Sequence, residues 1–350
     1  MTVAAVLLAG ALTAVLVNEA IARRHRLAGQ ETTVAVGPGQ AERGAEAQPA
    51  EPPPPPGVEV VPEGENAPAP SAEVRQSFGR AAGLHRARST VPLVSSAALA
   101  IDEGSGKVLV EKNPDAVLPI ASLTKLMTAL ILAEAKLPLD ETLTITEDDI
   151  DNERHSRSRL RVGTSLTRGE ALHLALMSSE NRAAHALGRT FPGGLALFIN
   201  AMNNKARQLG MKNTSFVDPT GLSSRNQSTA RDVATLALAA SRHGLLRDYS
   251  TTPRHQIALG GRTLLYNNSN RLVKSRVWDI RLQKTGYIVE AGQCVAMHTR
   301  IGRRNVVMVL LDATDKKARS ADAERIRRMV TSQADDGGDA VALHKDAART

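Results

Sequence analysis

The pattern of apolar and polar positions changes character several times along the chain. Val3 to Val17 is a charge-free apolar run, too short for a comfortable membrane span and of the length of an export signal's hydrophobic stretch. Short apolar segments at Ala97–Asp102 and Lys107–Lys112 flank Glu103-Gly104-Ser105-Gly106, a hairpin pattern. From Ser122 to Ala135 the apolar residues Leu123, Leu126, Met127, Leu130 and Ile131 recur at helical spacing. Thr167 to Glu170 has the form of a capping box and opens a helix to about Ser178, followed by helices over Asn181–Gly188 and Gly194–Gly210. Ile257 to Tyr266, around Gly260-Gly261, reads as a second hairpin. Trp278–Gly286, Gln293–Arg300 and Asn305–Asp312 read as three strands, and Ala318–Thr331 as a closing amphipathic helix. Strand groups at both ends of a helical middle predict an α+β domain whose antiparallel sheet is closed by its own termini.

Composition sets the organisation around that domain. Ten of the seventeen prolines fall between Pro38 and Pro70 amid Ala, Glu and Gly, so residues 29–90 are expected to form a disordered tether without a core. The folded domain is expected over 91–331 and a flexible tail over 332–350. Residues 1–28 hold the apolar run and the small-residue triplet Ala20-Ile21-Ala22. They are read as a cleaved export signal rather than an anchor holding the protein at the membrane, despite Arg23, Arg24 and Arg26 on the far side of the run and no basic residue before it.

Charge and composition then exclude some chemistries. Between Glu31 and Glu73 eight glutamates face one arginine, −7, so the remainder of this +8 chain carries +15. Such a balance suits an anionic surface such as the acidic polymers of a bacterial envelope, and solvated Arg-rich loops suit it equally. Eight aromatic residues in 350 leave little to build base-stacking platforms with, and no nucleic-acid partner is expected. The single cysteine, Cys294, excludes internal disulfides and Cys-built zinc sites. His173 and His185 lack HxH or HExxH spacing, so no metal is expected.

The candidate chemistry begins at Ser122 and Lys125, at i and i+3 on one helix face. A serine nucleophile needs a base that is neutral when it takes the proton. Such a pair arises by chance about once in a chain of this size, and alone it reads as a capped helix with a surface lysine. Two further motifs change its weight. Lys284-Thr285-Gly286 ends a predicted strand, where Lys supplies positive charge, Thr offers a hydroxyl to a carboxylate, and Gly leaves room for substrate backbone. Ser179-Glu180-Asn181 lies at a helix-to-helix corner, where Ser can relay a proton and Asn can hold an amide. A rival, Ser224-Arg225-Asn226, follows Asp218-Pro219-Thr220-Gly221 and reads as turn chemistry.

The order SxxK, SxN, KTG, with Ser122 and Ser179 57 residues apart and Lys284 a further 105 along, resembles that of the penicillin-interacting serine acyltransferases. The stretches PIASLTKLMTALI, ITEDDID, LHLALMSSENRAAHALGRTFPGG, LGMKNTSFVDPTGLS, LQKTGYIVEAGQC and VVMVLLDA resemble the low-molecular-mass D-alanyl-D-alanine peptidases. Among these they look most like the D-alanyl-D-alanine endopeptidases of the penicillin-binding protein 7 type. The resemblance covers about 95–330. It implies the transpeptidase fold shared with β-lactamases, with an antiparallel sheet, flanking helices and a helical subdomain. It implies Ser122 as the acylated nucleophile, Lys125 as its proton acceptor and Ser179 as a second catalytic hydroxyl. Asn181, Lys284, Thr285, Gly286 and Tyr287 would bind substrate, with the N–H groups of Ser122 and Tyr287 as the oxyanion hole. It implies no cofactor, peptidoglycan peptides as substrates, β-lactams as acylating inhibitors, and a periplasmic location.

Three alternatives are weighed. The motif-flanking stretches and the mere twenty residues after the closing helix lean to an endopeptidase that cuts cross-links, over a carboxypeptidase that trims a terminal D-alanine. A β-lactamase needs a deacylating base, and no ExxN-type loop stands between the second and third motifs. A tethered wall-binding module without turnover is the alternative from another class, and the complete set of three motifs argues against it.

Overall fold

The computed structural model describes residues 59–60, 76–259 and 261–346, with side chains described between 76 and 333. The expected export signal and most of the expected tether lie outside the described residues. Among those described, no helix is long and apolar enough to cross a membrane.

A five-stranded antiparallel sheet is built from both ends of the domain. Its order is β10 (Asp279–Ile288), β11 (Gly292–Ile301), β12 (Arg304–Ala313), β2 (Ala97–Asp102), β3 (Val108–Lys112). β12 pairs with β2 in a register that sets Leu310 against Ala98 and Val307 against Ile101, which joins the N-terminal hairpin to the C-terminal meander. Side chains alternate between the two faces of a strand. Ala97, Leu99, Val307, Val309 and Leu311 pack into the large core with the helices, whereas Ala98, Ala100, Val306, Met308 and Leu310 pack with Trp278, Ala323, Ile326 and Val330 on the other face. Both faces are covered, which is why VVMVLLDA is apolar at nearly every position rather than at alternate ones. Cys294 lies buried within β11.

The helical part comprises α2 (Lys125–Ala135), α3 (Arg168–Met177), α4 (Asn181–Arg189), α5 (Gly194–Gln208), α6 (Ala230–Ser241) and α7 (Gly244–Thr251), after a short α1 (Phe78–Ala81). The capping box at Thr167 forms as its sequence predicts, Thr167 Oγ1 accepting from Glu170 N at 3.1 Å and Glu170 accepting from Thr167 N at 2.7 Å. α2 departs from the amphipathic expectation: Lys125 to Leu132 are all buried, as befits a helix enclosed by α3, α5 and α6.

Three boundaries move. Residues 76–90, expected in the tether, belong to the fold: Ser77 and Gly79 are buried and Leu84 packs on the large core. Lys112 Nζ donates to the carbonyls of His85 and Leu93, and Asn113 Nδ2 to those of Leu84 and Ser96, so backbone polar groups of this segment are satisfied. Within the expected tether, β1 (Glu59–Val60) also pairs in parallel with β9 (Arg262–Asn267), the return strand of the predicted second hairpin with β8 (Arg254–Leu259). At the other end α8 (Lys316–Asp346) continues through the expected tail. Gly337 and Gly338 cost about 1 kcal/mol each against Ala, less than the proline that would stop a helix.

A buried ionic cluster ties α4 to the 3-10 turn Glu147–Asp149. Asp149 accepts from His185 Nδ1 at 2.8 Å, from Arg189 Nη2 at 2.7 Å and from Thr146 N at 2.8 Å. Burial raises the Asp149 pKa, but these hydrogen bonds and the Arg189 charge outweigh it and bring it to about 2 from 3.8. A depressed carboxyl pKa stabilises the fold above the unfolded value and loses that contribution as pH falls toward the folded one. The shift corresponds to about 2 kcal/mol. Asp149→Asn is therefore expected to lower the unfolding free energy in urea by about that much at pH 7, with the gap to wild type closing between pH 4 and 2. A gap that stays constant across that range would refute the linkage.

Candidate active site

Ser122 stands in a tight turn where a simple helix start is predicted. Ala121–Thr124 form a 3-10 turn and the α-helix begins at Lys125. Ala121, fully buried, is held at φ 47°, a conformation costly for a residue with a Cβ. Ser122 and Lys125 nevertheless remain one turn apart on the same side.

Lys125 is buried, and its Nζ lies 2.9 Å from Ser122 Oγ, 2.7 Å from Asn181 Oδ1 and 2.7 Å from the Thr220 carbonyl. Thus the first and second motifs meet at one nitrogen. Asn181 begins α4, and its Nδ2 donates to Ser156 Oγ at 3.1 Å. Ser179 sits at the corner between α3 and α4 with φ 65°. Between them, burial raises the Glu180 carboxyl pKa against the pull of Ser158, the Arg182 backbone and the charges of Lys125 and Arg182. The rival motif has a different task. Buried Asn226 donates to Thr124 Oγ1 and to the Asp218 carbonyl and accepts from Val217 N, bracing the loop that carries Thr220.

That loop was legible only as a turn. Asp218 Oδ1 accepts from Thr220 N, Thr220 Oγ1 and Gly221 N, while Oδ2 accepts from Ser223 N, so one carboxylate winds the whole loop. Gly221 is at φ 83°, and a Cβ there would lie 1.9 Å from the Ala121 carbonyl. The loop and the Ser122 turn are in backbone contact.

The third motif lies on β10, which is the edge strand of the sheet. A Cβ on Gly286 would stand 2.9 Å from Ser122 N and 3.1 Å from the Ile120 carbonyl. The glycine therefore makes room for the backbone of Ser122, in addition to the substrate space the sequence suggests. Lys284 is buried and its Nζ donates to the Thr285 carbonyl at 2.8 Å. Thr285 Oγ1 donates to Ser269 Oγ at 2.7 Å, and Ser269 N is held by the Met177 carbonyl at 2.9 Å. Ser269 carries no motif and lies on no predicted element, so nothing in the sequence marks it. Tyr287 follows, half-buried, opposite Gln293.

Other polar residues of the domain have separate partners. Arg231 is half-exposed and pairs with Asp115 at 2.7 Å. His173 stacks on Tyr249 at 4.4 Å and lies 4.2 Å from His255. Burial, helped by the His255 charge, lowers its pKa to about 4. Among the described residues no group of three or more His, Cys, Asp or Glu is placed to hold a metal.

An edge strand of the sheet set against a Ser–Lys turn, with the Ser179-Glu180-Asn181 corner reaching the lysine through Asn181, is the arrangement expected of a serine acyl-transfer peptidase of the penicillin-interacting class. The chain belongs to the peptidase S11, D-alanyl-D-alanine carboxypeptidase, family, whose sequence profile matches residues 85–315. It is 50% identical over 238 residues to a D-alanyl-D-alanine endopeptidase of Pseudomonas aeruginosa, covering 67% of this chain and 77% of the relative. It is 43% identical over 240 residues to the D-alanyl-D-alanine endopeptidase of Escherichia coli K12, covering 68% and 77%. Its fold matches the crystal structure of the Streptomyces K15 DD-transpeptidase with a TM-score of 0.64 at 28% identity, over 68% of this chain and 97% of that one. It also matches penicillin-binding protein D2 of Listeria monocytogenes in its cefotaxime-bound form, with a TM-score of 0.61 at 29% identity over the same shares. The α+β transpeptidase fold expected from the sequence is the fold observed.

Proposed function

We propose that this protein is an exported peptidoglycan D-alanyl-D-alanine endopeptidase that opens cross-links through an acyl-enzyme on Ser122. The observation that carries the chemistry is the set of contacts at Lys125 Nζ. A neutral amine has two N–H groups and one lone pair. Asn181 Oδ1 and the Thr220 carbonyl accept N–H groups of the amine, and its lone pair can then face the Ser122 hydroxyl 2.9 Å away, the arrangement of a general base. Ser122 Oγ attacks the D-alanyl carbonyl as its proton passes to Lys125. The developing oxyanion is received by the N–H groups of Ser122 and Tyr287, which Gly286 lets approach one another. The C–N bond then breaks, with the proton returned through Lys125 and Ser179 to the leaving amine. Water, deprotonated by the same base, releases the acyl group and restores Ser122. Lys284 and Thr285 hold the carboxylate of the leaving residue, Asn181 the substrate amide. A β-lactam ring acylates the same oxygen.

The choice of endopeptidase over carboxypeptidase is supported by the two relatives of 50% and 43% identity, both endopeptidases. A periplasmic location is part of this reading, supported by a cell-wall substrate and by the two endopeptidase relatives. The test incubates the protein with cross-linked muropeptide dimers and with monomeric pentapeptides and reads the products by mass spectrometry. Monomers released from dimers are the expected result. Loss of one D-alanine from pentapeptides with dimers intact would make it a carboxypeptidase.

A further inference from the structure

Arg154 and Glu290 form an ion pair of 2.9 Å that joins the loop of 151–156 to the turn after β10, each about a quarter exposed. Glu290 stands just beyond the end of β10, and Arg154 is carried by a loop wound on Asp151, whose carboxylate accepts from the N–H groups of Glu153, Arg154 and Ser156. The same loop supplies Ser156 to Asn181, and Arg154 Nε donates to the Leu222 carbonyl beside the loop that holds Lys125. One short turn thus links the second motif to the far end of the edge strand. The basic run at 154–161, which sequence leaves as solvated charge, is therefore divided. Arg154 is engaged here and Arg159 lies 4.0 Å over the Tyr266 ring, while Arg157 and Arg161 are exposed.

The direction of the substrate follows from the proposed function, on which this inference rests. With the leaving carboxylate at Lys284 and Thr285 and the scissile carbonyl at Tyr287, the donor peptide runs antiparallel to β10, its upstream part passing Ile288 and Val289. At about 3.3 Å per residue, the residue before the D-alanine comes opposite Ile288, the last residue of β10, and a side chain of several carbons extends from there toward the ion pair at Glu290, two positions on. We propose that Arg154 and Glu290 form the subsite for that residue and select a side chain ending in both an ammonium and a carboxylate, as in a diamino diacid. Such an end inserts between the two groups, its ammonium on Glu290 and its carboxylate bidentate on Arg154, exchanging one ion pair for two. A lysine side chain satisfies Glu290 but sets its ammonium against Arg154, and an uncharged chain leaves the pair closed across its path.

The test compares kcat/KM for matched cross-linked peptide dimers in which the third residue of the donor strand carries a zwitterionic diamino-diacid side chain, lysine or norleucine. These are assayed with wild type, Arg154→Gln and Glu290→Gln, each checked for folding by thermal melting. Wild type is expected to favour the zwitterionic peptide at least about tenfold, the size of one well-placed charge contact. Arg154→Gln should lower turnover of that peptide while raising that of the lysine peptide, and Glu290→Gln should lower both toward the norleucine rate. A merely structural strap would depress all three peptides in parallel, and that result, or a wild type that treats the peptides alike, overturns the subsite. A wild type that cleaves none of them overturns the peptidase reading and the subsite with it.

Discussion

Ser122→Ala is expected to lower muropeptide turnover by at least ~10⁴-fold, as when a nucleophile acting within a coupled set is removed, and to abolish covalent labelling by a fluorescent penicillin. Ser122 Oγ lies 2.9 Å from Lys125 Nζ, and the turn around it is held by other groups. Leu123 N is bonded to the Ile120 carbonyl and Asn226 Nδ2 to Thr124 Oγ1. The melting temperature should therefore stay within about 2 °C of wild type, since deleting one partly exposed hydroxyl costs well under 1 kcal/mol. Retained labelling in a folded Ser122→Ala protein would place the nucleophile elsewhere.

Gly221→Ala is expected to damage fold and site together. Its Cβ would lie 1.9 Å from the Ala121 carbonyl and 2.9 Å from Ser122 N, at a φ of 83° that penalises any side chain. Neither neighbour is a flexible side chain, so the loop of 218–223 and the nucleophile turn must separate. That moves the Thr220 carbonyl away from Lys125 and shifts Ser122 N from the oxyanion position. The expected cost is about 3 kcal/mol, or a melting temperature lower by roughly 6–12 °C, with penicillin acylation slowed at least ~100-fold because a misplacement of 1 Å is enough for that. Gly106→Ala is the control: φ is 70° there too, but nothing lies within 4 Å, so only the backbone term of about 1 kcal/mol remains. Equal effects at the two positions would show that the contact with Ser122 is unimportant.

Those contacts also mark where the sequence could and could not be read. The strands were legible because a sheet covered on both faces leaves long apolar runs, and the capping box at Thr167 because it is a local pattern of side chains. The three motifs were legible because each chemical task needs a particular side chain. The 3-10 turn at Ala121–Thr124 was not, since it goes with tertiary contacts to Gly221 and Gly286 that no local pattern announces. The Thr220 carbonyl was hidden for a simpler reason: every residue has a carbonyl, and only the fold brings this one to Lys125 from 95 positions away. Ser269 and the Arg154–Glu290 pair depend in the same way on contacts between segments far apart in sequence. Residues 76–90 were masked by composition, because an Ala- and Arg-rich stretch beside a proline tract looks like more tether until its carbonyls are seen bonded to Lys112 and Asn113.

In the proposed mechanism Ser122 carries the acyl group during cleavage of a D-alanyl bond. The most direct measurement mixes the protein with a cross-linked muropeptide dimer, quenches in acid within milliseconds to seconds, and maps the digested protein by mass spectrometry. The account predicts a donor stem peptide, minus the leaving strand, esterified to the peptide containing Ser122, and its absence from the Ser122→Ala protein. Product formed with no adduct at any quench time, or an adduct on another residue, would contradict it.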